Sequence, residues 1–158
     1  MENGMPRFFR RLAEGVFDTE DLVFRTHELA AFVETACRAY DLDANRLVAV
    51  GYSNGANIAA SLLLLHPALL AGAILFRPMV PFVPKRLPDL SGVEVLVAGG
   101  LADQVVPRAQ TEGLVDLLKR SRAHTTVHWE DSTHSMAEGE VLFAKAWLWR
   151  LPEFKSRG

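Results

Sequence analysis

The sequence predicts an α/β fold, a mostly parallel sheet with helices on both faces, and three observations carry that prediction. Short apolar runs alternate with longer stretches of helical periodicity, the pattern of strands joined by helical crossovers. The runs are apolar at nearly every position, which suits strands buried on both faces and joined by right-handed crossovers. At 158 residues and 49% apolar, the chain is long enough for one domain with its own core. Nothing in it marks a boundary, so residues 1–158 read as a single domain.

Residues 1–17 show no clear periodicity and read as an irregular segment. Asp18 is a candidate N-cap, and Leu22, Leu29, Phe32, Val33, Cys37 and Tyr40 recur near a 3.6-residue period, so 19–40 reads as an amphipathic helix ended by Asp41-Leu42-Asp43. A strand over 47–52 is followed by a helix over 54–65, closed by His66-Pro67. A strand over 71–76 leads into a proline-punctuated loop over 77–91. Then come a strand over 93–98, a helix over 107–121, a strand over 125–130 and a helix over 134–151. Four sheet strands are therefore expected.

A net charge of −2 and an isoelectric point near 6.2 give no reason to expect nucleic acid or an anionic membrane as partner. Arg7, Arg10 and Arg11 cluster around Phe8 and Phe9 and read as a solvated or docking N-terminal face. The single cysteine, Cys37, cannot form an internal disulfide and reads as a core thiol. Apolar stretches such as 58–65 fall well short of the roughly 20 residues needed to span a bilayer, and no leader pattern opens the chain. The expectation is a soluble cytoplasmic protein.

The chemistry is carried by Gly51-Tyr52-Ser53-Asn54-Gly55, which joins an apolar strand to a helix. This Gly-x-Ser-x-Gly pattern reads as a nucleophile elbow: a sharp turn lifts Ser53 above the sheet, and small neighbours let the backbone make it. A serine hydroxyl is a poor nucleophile until a base takes its proton, so a carboxylate and a histidine must follow. Asp103 lies in a loop after the third strand, and His134 in a loop after the fourth. In open parallel sheets the ligand crevice lies outside those strand ends. Glu130 and Asp131 are rival partners for His134, but such close sequence neighbours are poorly placed to reach behind its ring. Asp103 is preferred.

Two weaker signals stand beside this one. His124, His128, Glu130, Asp131 and His134 are dense enough to suggest a metal. On a strand, however, His124 and His128 would lie about 13 Å apart, too far to share one ion, so neither metal nor cofactor is expected. Tyr52, Met79, Val80, Phe82, Val105 and Met136 are candidates for the walls of a substrate pocket, with plain core as the equal alternative for those after the second strand. Trp147 and Trp149 lie about 200° apart around a helix and cannot both face inward, so one marks an exposed apolar patch.

Gly51-Tyr52-Ser53-Asn54-Gly55, then Gly100-x-x-Asp103-x-x-Val106-Pro107, then His134-Ser135-Met136, resemble in order and spacing the α/β-hydrolase superfamily. Within it the chain is similar to small lidless carboxylesterases of the phospholipase/carboxylesterase, acyl-protein thioesterase and dienelactone-hydrolase-like groups, over about 19–151. The resemblance implies a three-layer α/β/α-hydrolase fold, N-terminally shortened, and a Ser53–His134–Asp103 triad. It also implies a His-Gly loop supplying an oxyanion-hole amide, and no His-Gly pair occurs here. The Asn54 N–H, at the start of the elbow helix, remains as one donor; losing the second typically costs about 10²–10³ in rate.

The family sheet has further strands beside the elbow strand, which would here present an open edge. Three covers are expected alternatives: residues 1–17, a second chain forming a homodimer through this edge or an apolar helix face, or further native N-terminal residues. Two function classes follow. One is a serine hydrolase cleaving small or short-acyl carboxylic esters, with thioesters as an extension. The other is a binding or scaffold protein on the same fold, impaired by the missing donor; a complete triad argues against it.

Overall fold

The structure, a computed structural model, describes residues 8–13, 15–43 and 46–151. Two short strands, β1 (Arg11–Ala13) and β2 (Val16–Phe17), form an antiparallel ribbon. The N-terminal segment, expected to be irregular, therefore carries a strand ribbon among its described residues. Phe9 is buried beside Leu22 and Ile58, and its ring meets Phe17 edge-on. Residues 1–7, with Arg7 of the basic cluster, and residue 14 lie outside the described residues.

Helix α1 (Thr19–Tyr40) starts where Asp18 accepts the Asp21 N–H, and ends where Asp41 takes a left-handed backbone and donates its N–H to the Cys37 carbonyl. Its buried face differs from the one expected. Leu22, Thr26 and Ala30 are buried, with Leu29 and Val33 against the core, while Phe32 and Tyr40 face solvent and Cys37 is only half-buried. The small side chain of Thr26 lets α1 approach the next helix closely enough for its hydroxyl to meet that of Ser61 at 2.8 Å.

Then follow β3 (Val48–Tyr52), α2 (Asn54–Leu65), β4 (Gly72–Phe76), β5 (Glu94–Gly100), α3 (Arg108–Arg120), β6 (His124–Glu130) and α4 (Glu138–Leu148). The four long strands pair in parallel in the order β3-β4-β5-β6. Side-chain alternation divides the core in two. Ala73, Leu75, Val95 and Val97 face α2 and α3, whereas Ile74, Phe76, Leu96 and Ala98 face α4, where Ala144 and Trp147 pack. Helices thus cover both faces. Trp147 is buried at 7% exposure and Trp149 lies out at 60%, as their angular separation requires.

The last helix begins at Glu138 rather than at residue 134, because the Glu140 carboxylate accepts the Ala137 N–H at 2.8 Å and starts the helix there. Residues 131–137 are left as an irregular loop carrying His134. The outer edge of β3 is unpaired among the described residues. Described residues 8–17 do not pair with it, and Val50 on this strand is 64% exposed. An apolar groove of about 770 Å³ runs along that edge between Phe8, Leu29, Val33, Val48 and Ile58 and reaches Ser53.

Candidate active site

Parallel register brings the ends of all four strands to one edge. Tyr52, Phe76, Ala98 and His128 are successive partners across the sheet, so Ser53, Arg77, Asp103 and His134 emerge together beyond them. Ser53 donates its N–H to the Phe76 carbonyl and then turns, with φ 52° and ψ −113°, into α2. A non-glycine residue holds such a backbone only when its surroundings impose it, at a cost of about 1–3 kcal/mol. The turn is tight because strand and helix touch. A Cβ on Gly51 would collide with the Gly55 carbonyl, whereas one on Gly55 would meet nothing closer than the Phe8 ring at 3.7 Å. Of the two flanking glycines, Gly51 is the one sterically required.

Ser53, His134 and Asp103 form a hydrogen-bonded chain. The His134 Nε2 lies 3.1 Å from Ser53 Oγ, and its Nδ1 lies 2.9 Å from Asp103 Oδ2. The other carboxylate oxygen, Oδ1, accepts the N–H groups of Val105 and Val106 at 2.8 and 2.9 Å. The Asp103 side chain is 1% exposed. Burial pushes its carboxyl up, but the Val106 amide, the imidazole and the Val105 amide outweigh it and hold the group below its ordinary value. An ionised Asp103 facing Nδ1 puts the proton there and leaves the Nε2 lone pair toward the serine hydroxyl. Asp131 is exposed and Glu130 bonds His128 at 3.0 Å.

Asn54 opens α2, so its N–H belongs to the first turn, whose amides have no intrahelical acceptor. A cavity of about 20 Å³ adjoins Ser53, lined by Gly15, Phe17, Asn57, Met79 and Val105 among others. Room for about one water is what such a volume provides. The candidate pocket residues therefore separate. Met79 and Val105 line this cavity, and Tyr52 lines the β3 groove. Val80 and Phe82 are half-buried and pack against the α2–α3 side of the core. Met136 is exposed on the His134 loop and lines neither space.

Tyr52 does more than line the groove. Its hydroxyl donates to the His134 carbonyl at 3.0 Å, and its ring centroid lies 5.4 Å from the imidazole's. Burial pushes the phenol above its ordinary value, which keeps it a donor. Two further residues were not singled out from the sequence, Arg77 and Glu140, both fully buried beneath the His134 loop. Their signal was present: an arginine directly after the apolar run Ala73-Ile74-Leu75-Phe76 must find a carboxylate if it is buried. His124 and His128 take separate partners, Glu94 and Glu130, and among the described residues no three His, Cys, Asp or Glu side chains converge as metal ligands.

The dienelactone hydrolase family model matches residues 11–143. The putative hydrolase MhqD of Bacillus subtilis is 46% identical over 147 residues, covering 93% of this chain and 74% of that protein. A Bacillus cereus carboxylesterase superposes with a TM-score of 0.91 at 51% identity, over 94% of this chain and 70% of the other. A carboxylesterase from Mesorhizobium loti gives 0.86 at 31% identity, over 96% and 71%. The parallel sheet flanked by helices is therefore an α/β-hydrolase fold, and the chain belongs to the dienelactone hydrolase family as a carboxylesterase-like hydrolase.

Proposed function

We propose that the protein is a serine esterase that cleaves small carboxylic esters through an acyl-enzyme. The observation that carries this reading is the hydrogen-bonded chain Asp103–His134–Ser53 at the C-terminal edge of the sheet. Ser53 Oγ attacks the acyl carbon while His134 Nε2 takes its proton. The proton then passes to the departing alkoxide, and water, deprotonated by the same imidazole, releases the acid and regenerates Ser53. Asp103 fixes the imidazole tautomer and stabilises the imidazolium. The tetrahedral oxyanion is held by the Asn54 N–H at the positive end of α2.

Short acyl groups suit the small cavity beside Ser53, and thioesters are an extension of the same chemistry. The outer edge of β3, unpaired among the described residues, supports pairing with a second copy of the chain. No described helix is long and apolar enough to cross a membrane. With one half-buried free cysteine the chain accords with a reducing, cytoplasmic setting.

Fluorophosphonate labelling read by intact mass, beside hydrolysis of p-nitrophenyl acetate, tests the reading. One adduct on the wild type, with neither adduct nor turnover in Ser53→Ala, is the expected result. Esterase activity persisting in pure Ser53→Ala, or a wild type that neither labels nor turns over, would sink it.

A further inference from the structure

Arg77 follows β4 with a left-handed backbone, φ 54°, and its side chain is 0% exposed. A buried guanidinium costs several kcal/mol unless its donors and charge are met. Here they are met by three parts of the fold. Nη1 donates to Glu140 Oε2 at 2.7 Å and to the Ala98 carbonyl of β5 at 3.4 Å. Nη2 donates to Glu140 Oε1 at 3.0 Å, Ser132 Oγ at 2.7 Å and the Ser135 carbonyl at 3.0 Å. Nε donates to the Thr133 carbonyl at 3.1 Å.

Three of these partners, Ser132, Thr133 and Ser135, flank His134 in a loop without regular structure. The loop is tied to one cation, and Gly100 permits the closeness: a Cβ there would lie 2.6 Å from the carbonyls of Ser132 and Thr133. A structural staple would need no more than this. The second feature is electrostatic. Arg77 Nε lies 3.7 Å from Asp103 Oδ2, the same oxygen that holds the imidazole. Groups facing His134 are Asp103 after β5, Tyr52 and Ser53 at the end of β3, and, through Asp103, Arg77 after β4 with Glu140 on α4.

With the bidentate Glu140 in place, the guanidinium charge is already balanced and the Asp103 charge is left for the imidazolium that forms during turnover. Without Glu140, Arg77 would claim Asp103 and oppose that imidazolium at short range in a low-dielectric site. We propose that Arg77 and Glu140 are a positioning pair for His134. Arg77 holds the loop that carries the imidazole, and Glu140 cancels the arginine's charge so that Asp103 serves the histidine. The inference rests on the Ser53–His134–Asp103 reading above.

The test is the pH profile of p-nitrophenyl acetate hydrolysis by the full chain for three variants: Glu140→Gln, the double variant Arg77→Met with Glu140→Leu, and Ser53→Ala. Thermal melting confirms folding in each. Glu140→Gln is expected to lower kcat by about tenfold or more with KM within about twofold, the cost of a misplaced base. The acidic limb of its kcat/KM profile should move to lower pH, because an unbalanced cation disfavours the imidazolium. The double variant removes both charges, and such pairs are often replaceable without loss of fold. Its kcat should stay low because the loop is untethered, while its acidic limb returns to the wild-type position.

A folded Glu140→Gln with unchanged limb and kcat overturns the proposal. If Glu140→Gln does not fold, a folded double variant with wild-type kcat overturns it equally, and one with depressed kcat and a wild-type limb supports it. Turnover surviving in Ser53→Ala overturns the triad reading and this inference together. Its loss there, with normal profiles in the other two, overturns the positioning pair alone.

Discussion

Replacing Asp103 with asparagine keeps the volume of the side chain and reverses one hydrogen bond. In the native site Oδ1 is held by two backbone donors, the amides of Val105 and Val106, and Oδ2 faces His134 Nδ1 at 2.9 Å. Two N–H groups fix which end of the new amide goes where: its oxygen must stay with them, and its NH2 must face the imidazole. The amide is then a donor where an acceptor is needed, so Nδ1 becomes the acceptor and the ring proton moves to Nε2, against Ser53. A triad in the wrong tautomer loses about 10⁴ in kcat, about 5.4 kcal/mol of barrier at 1.36 kcal/mol per tenfold. Initial rates of p-nitrophenyl acetate hydrolysis read the loss, with melting temperature as the check on folding. Asp131→Asn, at an exposed position, is the paired control and should stay near wild type. A folded Asp103→Asn keeping more than about a tenth of wild-type kcat, or an Asp131→Asn as damaging, would refute the reasoning.

Other consequences of the geometry are measurable as well. Gly51→Ala should destabilise the fold by about 1–3 kcal/mol, since its Cβ meets the Gly55 carbonyl, lowering Tm by about 2–10 °C; Gly55→Ala should melt near wild type. Tyr52→Phe removes the bond to the His134 carbonyl and should lower kcat by about 2–10-fold, with an unchanged rate assigning the phenol no part in holding the loop. His66 lies 2.9 Å from His27, and burial first, then that neighbour, hold it below its ordinary value. A histidine kept neutral by the fold contributes stability that is present above its unfolded value of 6.5 and lost as pH falls through the folded one. Wild-type Tm should therefore fall between pH 7.5 and 5 more steeply than that of His66→Gln, and parallel slopes would refute it.

Much of the fold was legible because burial on both faces leaves a plain mark. The runs around Val48, Ile74, Val95 and Val127 form the expected strands, and the helix bounds at Thr19, Tyr40, Asn54 and Leu65 agree with the expected ones. The outcome was poorer where a local pattern competes with a tertiary contact. Phe32 and Tyr40 continue a helical period yet face solvent, because α1 packs through the smaller Thr26 and Ala30. For Val80 and Phe82 pocket wall and core were equal alternatives on sequence, and both are half-buried against the core. The first turn of the expected last helix, 134–137, gave way to a loop, since the Tyr52 and Arg77 bonds to the His134 and Ser135 carbonyls exceed the modest helical preference of His134 and Ser135.

By itself the sequence determined the parallel α/β architecture, the strand-to-helix turn at Ser53 and the order in which Asp103 and His134 follow it at strand ends. Those are properties of neighbours along the chain: apolar runs, a turn only small residues permit, and loops at strand ends. Tertiary structure alone decided which glycine the elbow requires, and that one buried arginine ties the histidine's loop to the end of the sheet; it also places Asp103, the carboxylate preferred on sequence, behind the His134 ring. The reason is physical. Asp103 meets His134, and Arg77 meets the loop that carries it, across strands paired in parallel, and that register, set by crossovers and packing, brings together groups 31 and 56 residues apart.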